Sequence, residues 1–366
     1  ETDPAKLKAL KDALGVKAKD DYTLEFTLRN PRSSFLQVMA LWPAAPVRED
    51  IITANSTPDK PDKWTEDPKT YIGNGPFKIT EWVHQDHITL VPNEHYYGPK
   101  PKLQKIIYYM VTDIQANYAA YLNGERELAS VPVPMIKQVL ADPNLSKQLV
   151  RGARLTTYAF QFNNMAIDRE AFIEKVRSGV GKPAYSWIPP GMPGHQPDLG
   201  MEYKLNPAKA KQLLADAGYP NGQGLPKISL LYANSGNNPI MAQFMQEQFK
   251  TNLGVEIELQ PTEPKAASQA INKSQFMTAF YGWGADYPDP DNWLPELFGT
   301  NAGNNHTGYS NPKVDDLMRK AIIETDPKKR MDMWAEAQKM ILADAPITFL
   351  YYDENFFVMK PYVRDI

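Results

Sequence analysis

Hydrophobic positions along this chain switch between a period near 3.6 and a period of 2, and the switches fall at Pro, Gly and Asn. Leu7, Leu10 and Leu14 predict one face of a helix opened by Asp3 and Pro4 and closed by Gly15. Tyr22, Leu24, Phe26 and Leu28 alternate with polar residues, which predicts a half-buried strand. Asn30 and Pro31 make a turn, 35–41 a short helix, and 53–70 a polar, proline-rich surface loop. Residues 77–83 and 87–92 read as a hairpin about 84–86, and 105–111 as a further strand. Asp113 caps a helix that Asn123 and Gly124 end, a short helix lies within 132–140, and 155–163 is a strand. Asp168 caps a helix over 169–176, and the proline- and glycine-rich stretch 178–203 reads as an extended, stiff connection.

From residue 206 the rhythm becomes regular. Helices are predicted over 207–217, 239–252 and 264–273, with strands over 228–232, 255–260 and from Phe276 onward. Asn311 and Pro312, then Asp326 and Pro327, open two closing helices, and a last apolar strand covers 347–352. Helix alternating with strand at this spacing argues for the α/β class with a parallel-type layer.

The strand from Phe276 organises the rest. Both of its alternating faces are apolar, as in a strand covered on two sides. It then runs into Gly282 and Gly284 around Trp283, followed by Ala285, Asp286 and Tyr287. Glycine there lets another backbone come close, and Pro288 and Pro290 stop further ladder pairing. A buried strand that ends in glycines, an aromatic and a carboxylate has the makings of a binding-site floor. Asp286 also has the plainer reading of a turn or cap residue, because the following residues are turn formers. Asp289 and Asp291 read as surface turn and helix cap. A calcium loop is disfavoured, since the three aspartates miss the one-three-five spacing and the central glycine.

Composition narrows the picture. The 366 residues suffice for roughly two domains, and 42% hydrophobic with 23% charged residues is ordinary for a globular chain. A net charge of -3 gives no sign of nucleic acid or an anionic membrane surface, and no apolar run approaches a membrane span. With no cysteine there is no disulfide, thiolate metal site or cysteine nucleophile. The glycines of 73–77 lack phosphate-loop spacing, and His84 and His87 lack metal-ligating company. His306 reads as an exposed loop residue, and Lys328, Lys329 and Arg330 as a solvated helix face. Neither a Ser-His-Asp order nor an HExxH motif is present, so no enzyme, no cofactor and no metal are expected. The hydrolase reading of Asp286, Asp289 and Asp291 fails because the prolines hold these carboxylates on one turn.

Five stretches together resemble a known family. They are Gly-Asn-Gly-Pro-Phe at 73–77 with Trp82, Asn-Glu-His-Tyr-Tyr-Gly at 93–98, Ala-Ile-Asp-Arg at 166–169, Gly-Trp-Gly-Ala-Asp-Tyr-Pro-Asp-Pro at 282–290, and Gly-Tyr-Ser-Asn-Pro at 308–312 with its two helices. Their order and spacing are similar to the large peptide-type solute-binding proteins of ABC importers, the oligopeptide- and dipeptide-binding group of family 5. The resemblance implies an α/β, two-lobed periplasmic-binding-protein-like fold with two crossover strands, type II in its large peptide-binding variant. It also implies that an N-terminal part is missing, and that a loop and helix start found in the family between 164 and 165 are absent. Crossovers would lie near 161–163 and 348–351, giving a first lobe of 1–162 plus 348–366 and a second of 163–347. The chain would be the extracytoplasmic, monomeric binding component of the importer, meeting the membrane only through the permease subunits or a lipid anchor outside this chain. Its ligand would be an oligopeptide, with the α-ammonium on Asp286 and the peptide backbone on Gly282, Gly284 and Ala285. Trp283, Tyr287 and Trp293 would form the walls. An oligosaccharide stacked on the same aromatics is the alternative.

Overall fold

The helix starts follow their caps. Asp113, Asp168, Asn206, Asn311 and Asp326 each turn a side-chain oxygen onto the first backbone N–H groups of the helix behind them, worth about 1 kcal/mol per cap. In chain order the helices are α1 (Pro4–Ala13), α2 (Phe35–Met39), α3 (Glu49–Asn55), α4 (Ile114–Leu122), α5 (Ile136–Ala141) and α6 (Arg169–Val176). They continue with α7 (Pro207–Asp216), α8 (Asn238–Leu253), α9 (Pro264–Asn272), α10 (Leu294–Phe298), α11 (Pro312–Ile323) and α12 (Pro327–Asp344). The strands are β1 (Val16–Asp20), β2 (Thr23–Phe26), β3 (Phe77–Val83), β4 (His87–Pro92), β5 (Ile106–Tyr109) and β6 (Leu128–Ser130). After them come β7 (Leu149–Phe160), β8 (Lys182–Pro183), β9 (Ile228–Ala233), β10 (Ile257–Thr262), β11 (Thr278–Gly284) and β12 (Thr348–Met359). The computed structural model describes residues 3–160 and 164–364.

The chain divides into two compact units, one of 1–38 with 151–355 and one of 39–150 with 356–366. These borders differ from the lobe limits of 162 and 348 that the resemblance implies. Residues 1–38 join the first unit through Ser34, which donates to Asp291, and Ser33, which donates to the Glu324 carbonyl. β12 runs on to Met359, beyond the expected strand end at 352. The other expected crossover, 161–163, lies outside the described residues.

In the first unit the strand order is β10-β9-β11-β7-β12, with β8 beside β12. The β10, β9 and β11 contacts are parallel, and β11 turns antiparallel to β7. Side-chain alternation along β7 and β12 splits the core in two. Ala159 and Phe349 join Trp187, Trp293, Phe298 and Trp334 against α10, α11 and α12. Phe160 and Leu350 join Phe172, Met245 and Phe249 against α6, α7 and α8. The stretch 178–203 is irregular, as expected, yet Trp187, Ile188 and Met192 are buried in the first of these clusters. Arg169 is fully buried, and among the described residues no carboxylate is in ion-pair contact with it. Its Nε donates to the Phe349 carbonyl and its Nη groups to the Asn164 carbonyl and side chain. Burial pulls the guanidinium down to about 10.

The second unit holds the antiparallel sheet β3-β4-β5 and the pairing of β6 with residues 357–359 of β12. Its small core includes Tyr118, Tyr121, Ala129, Ile136, Val139 and Val358. In residues 1–38 of the first unit, two expected inward faces lie outside. Leu10 and Leu14 of α1 and its tail are exposed, and the side chain of Leu7 falls outside the described residues. The strand expected over 22–28 is the second half of a β1-β2 hairpin, with Tyr22 and Leu24 exposed.

Candidate functional site

β11 leaves half of one edge open. On one side it pairs with β7 from Phe280 opposite Phe160 to Gly284 opposite Thr156. The Ala285 N–H continues this ladder by donating to the Leu155 carbonyl at 2.8 Å. Backbone groups of an antiparallel strand alternate in direction, so residues 281, 283 and 285 face β7 while Gly282 and Gly284 turn their N–H and C=O to the other edge. On that edge β9 reaches only Thr278 and Ala279. Among the described residues no strand covers the edge at Gly282 and Gly284.

The glycines have a structural reason of their own. A Cβ on Gly282 would stand 2.7 Å from the Tyr158 ring, and one on Gly284 3.1 Å from Thr156 Oγ1. The close neighbour of Gly282 is therefore an aromatic ring, itself stacked on Tyr351 at 4.8 Å, where the sequence suggested an approaching backbone.

Asp286 follows the open edge, and it is exposed. Its backbone N–H donates to Asn292 Oδ1 at 2.8 Å, and its Oδ2 accepts from Asn292 Nδ2 at 3.0 Å. Trp283 is half-buried and donates from Nε1 to the Asn292 carbonyl at 2.9 Å. Ala285 packs against the tryptophan-rich cluster. Tyr287 is buried, and its hydroxyl accepts from Arg32 Nη2 at 3.1 Å. Burial, with Asp291 nearby, drives that hydroxyl well above the ordinary tyrosine value. Trp293, expected on a pocket wall, is sealed in the core instead. It is 0% exposed and meets Trp187 edge-on at 5.6 Å.

The loop behind Asp286 is set by buried charge, which corrects the surface reading of Asp289 and Asp291. Asp289 caps the backbone N–H of Asp291 and takes two bonds from Arg330, at 2.9 and 2.6 Å. Asp291 accepts from Ser34 and lies 3.4 Å from Arg32 Nη2. Burial raises the Asp291 carboxyl, against the pull of the Ser34 hydrogen bond. Arg330, expected on a solvated face, is 4% exposed. The sequence held one sign of this. Arg330 stands on the same helical stripe as Trp334, Ala337 and Ile341, where a basic residue calls for a buried anion. Nothing local marked Arg32, Ser34 or Asn292.

A small, mostly apolar pocket opens beside the middle of β11. Phe276, Tyr281, Leu297, Phe298 and His306 are among its walls. His306 lies edge-on to Tyr281 at 5.6 Å, and burial holds its pKa below the ordinary histidine value.

A family model described as bacterial extracellular solute-binding proteins, family 5 Middle, matches residues 1–305. The chain belongs to this family. Among its relatives, the dipeptide-binding protein DppE of Bacillus subtilis is 32% identical over 98% of this chain and 68% of its own length. The oligopeptide-binding protein OppA of the same organism is 29% identical, over 97% of this chain and 68% of its own. The solved Escherichia coli murein tripeptide binding protein MppA superposes with a TM-score of 0.83 at 29% identity, covering 96% of this chain and 71% of that one. This family 5 solute-binding protein thus has the mixed α/β fold of the two-lobed, type II class, and the family is extracytoplasmic.

Proposed function

We propose that this chain is the peptide-binding component of an ABC importer, and that it holds an extended peptide on the open edge of β11 with the α-ammonium on Asp286. The observation that carries the reading is the edge itself: two glycines with outward backbone groups, free of a described strand partner, running into an exposed carboxylate. Strand addition binds what every peptide shares, its backbone, and leaves side chains unspecified. The carboxylate fixes polarity, because a charge-assisted hydrogen bond to an ammonium contributes about 1.5–3 kcal/mol. Relatives named for dipeptides and oligopeptides support the same ligand class. Binding without turnover, outside the cytoplasm, with delivery to permease subunits by a monomer, completes the proposal.

Calorimetry with a free-amino tetrapeptide and its N-acetylated form tests it. The free peptide is expected to bind at least about tenfold more tightly, and Asp286→Asn to remove most of that preference. Equal affinity for the two peptides on the unsubstituted chain defeats the assignment of Asp286. Binding of oligosaccharides with no binding of peptides defeats the ligand class.

A further inference from the structure

We infer that Asn292 is a positioning residue for the ligand carboxylate, holding one oxygen of Asp286 so that the other is presented to an incoming ammonium. The inference rests on the reading of Asp286 given above and extends it to the buried residue behind that carboxylate.

Three polar groups of one asparagine serve the end of one strand. Asn292 Oδ1 accepts from the Asp286 backbone N–H, Nδ2 donates to Asp286 Oδ2, and the main-chain carbonyl accepts from Trp283 Nε1, at 2.8, 3.0 and 2.9 Å. Asp286 is exposed, so without this contact its carboxylate would sample its rotamers in water and an ammonium would have to order it. Asn292 is the opposite case, 3% exposed and fixed by its surroundings. It ends a single 3-10 turn, Pro290–Asn292, whose cap is Asp289. Asp289 is gripped by Arg330, and the neighbouring Asp291 by Ser34 and Arg32. The result is an exposed acid held by a buried amide, the arrangement in which a supporting residue sets the geometry of a contacting one. With Oδ2 accepting from Nδ2, no described residue donates to Oδ1, and its lone pairs are open to the ligand.

The test compares three variants, Asn292→Leu, Asn292→Ala and Asp286→Asn, by calorimetry with a free-amino tetrapeptide and its N-acetylated form, beside thermal melts. Leucine nearly keeps the volume and removes both polar groups; alanine serves if leucine does not fold. The expected result is that either Asn292 variant weakens the free peptide by about tenfold, the worth of one hydrogen bond to a charged group, while the acetylated peptide is unchanged. A residue that merely holds the turn would weaken both peptides equally, and that outcome overturns the inference. So does an unaltered free-to-acetylated ratio when Asp286→Asn abolishes it. If Asp286→Asn itself leaves the ratio untouched, the assignment of Asp286 fails and the inference falls with it.

Discussion

Replacing Arg330 with methionine asks whether buried charge holds the loop behind Asp286. The side chains of Arg330 and Asp289 are 5% and 9% exposed, and two bonds of 2.9 and 2.6 Å join them. Methionine keeps most of the apolar stem beside Trp334 and removes the cation. Asp289 is then left buried without its partner, close to the second buried carboxylate of Asp291. Breaking such a pair from one side costs about 3–5 kcal/mol, because the remaining charge is neither solvated nor matched. For a unit of this size that corresponds to roughly 6–20 °C in melting temperature. The assay is a double-mutant cycle of Arg330→Met with Asp289→Asn, read by calorimetric melts; asparagine can still cap the turn. The double variant is expected to regain much of the loss, since neither charge is stranded. A single-variant cost below about 1 kcal/mol, the range of solvent-exposed pairs, would refute the reasoning.

Two further outcomes are expected elsewhere in the chain. Gly282→Ala drives a methyl into a Tyr158 ring that is pinned by its stack on Tyr351, so it is expected to cost about 1–3 kcal/mol in denaturant unfolding, and Gly284→Ala clearly less. Equal costs at the two positions count against the ring contact as the cause. His87 Nδ1 lies 2.8 Å from Asp86 and Nε2 3.1 Å from Glu81, and these bonds, Asp86 first, raise its pKa. The folded value being the higher one, its stabilisation of the β3-β4 hairpin is full below about pH 6.5 and fades as pH rises through the folded value. An NMR titration that places His87 at or below the ordinary histidine value contradicts this.

The sequence revealed helix starts far better than it revealed partners. Asn311 with Pro312 and Asp326 with Pro327 specify cap and first turn within a few residues, and α11 and α12 begin there. β11 was equally plain from its apolar alternation and closing glycines. Short elements without a full period, such as β6 and α10, were missed, because three to five residues carry too little pattern. The burial of Asp289 and Asp291 was illegible for another reason. Their partners stand 41 and 257 residues away, and an aspartate in a proline-rich turn looks the same on a surface or in a buried ion pair. Trp293 and Trp283 likewise share a residue type and differ only in what the fold lays over them.

The fully enclosed guanidinium of Arg169 has a consequence for how the chain comes to be folded. Its Nε is satisfied by a carbonyl 180 residues downstream, on β12. Until β12 docks, the guanidinium at the first turn of α6 lacks that acceptor, and burying it would cost more than leaving it in water. Contacts of such long reach are formed late and slowly. Closure of the core around α6 is therefore tied to the docking of β12.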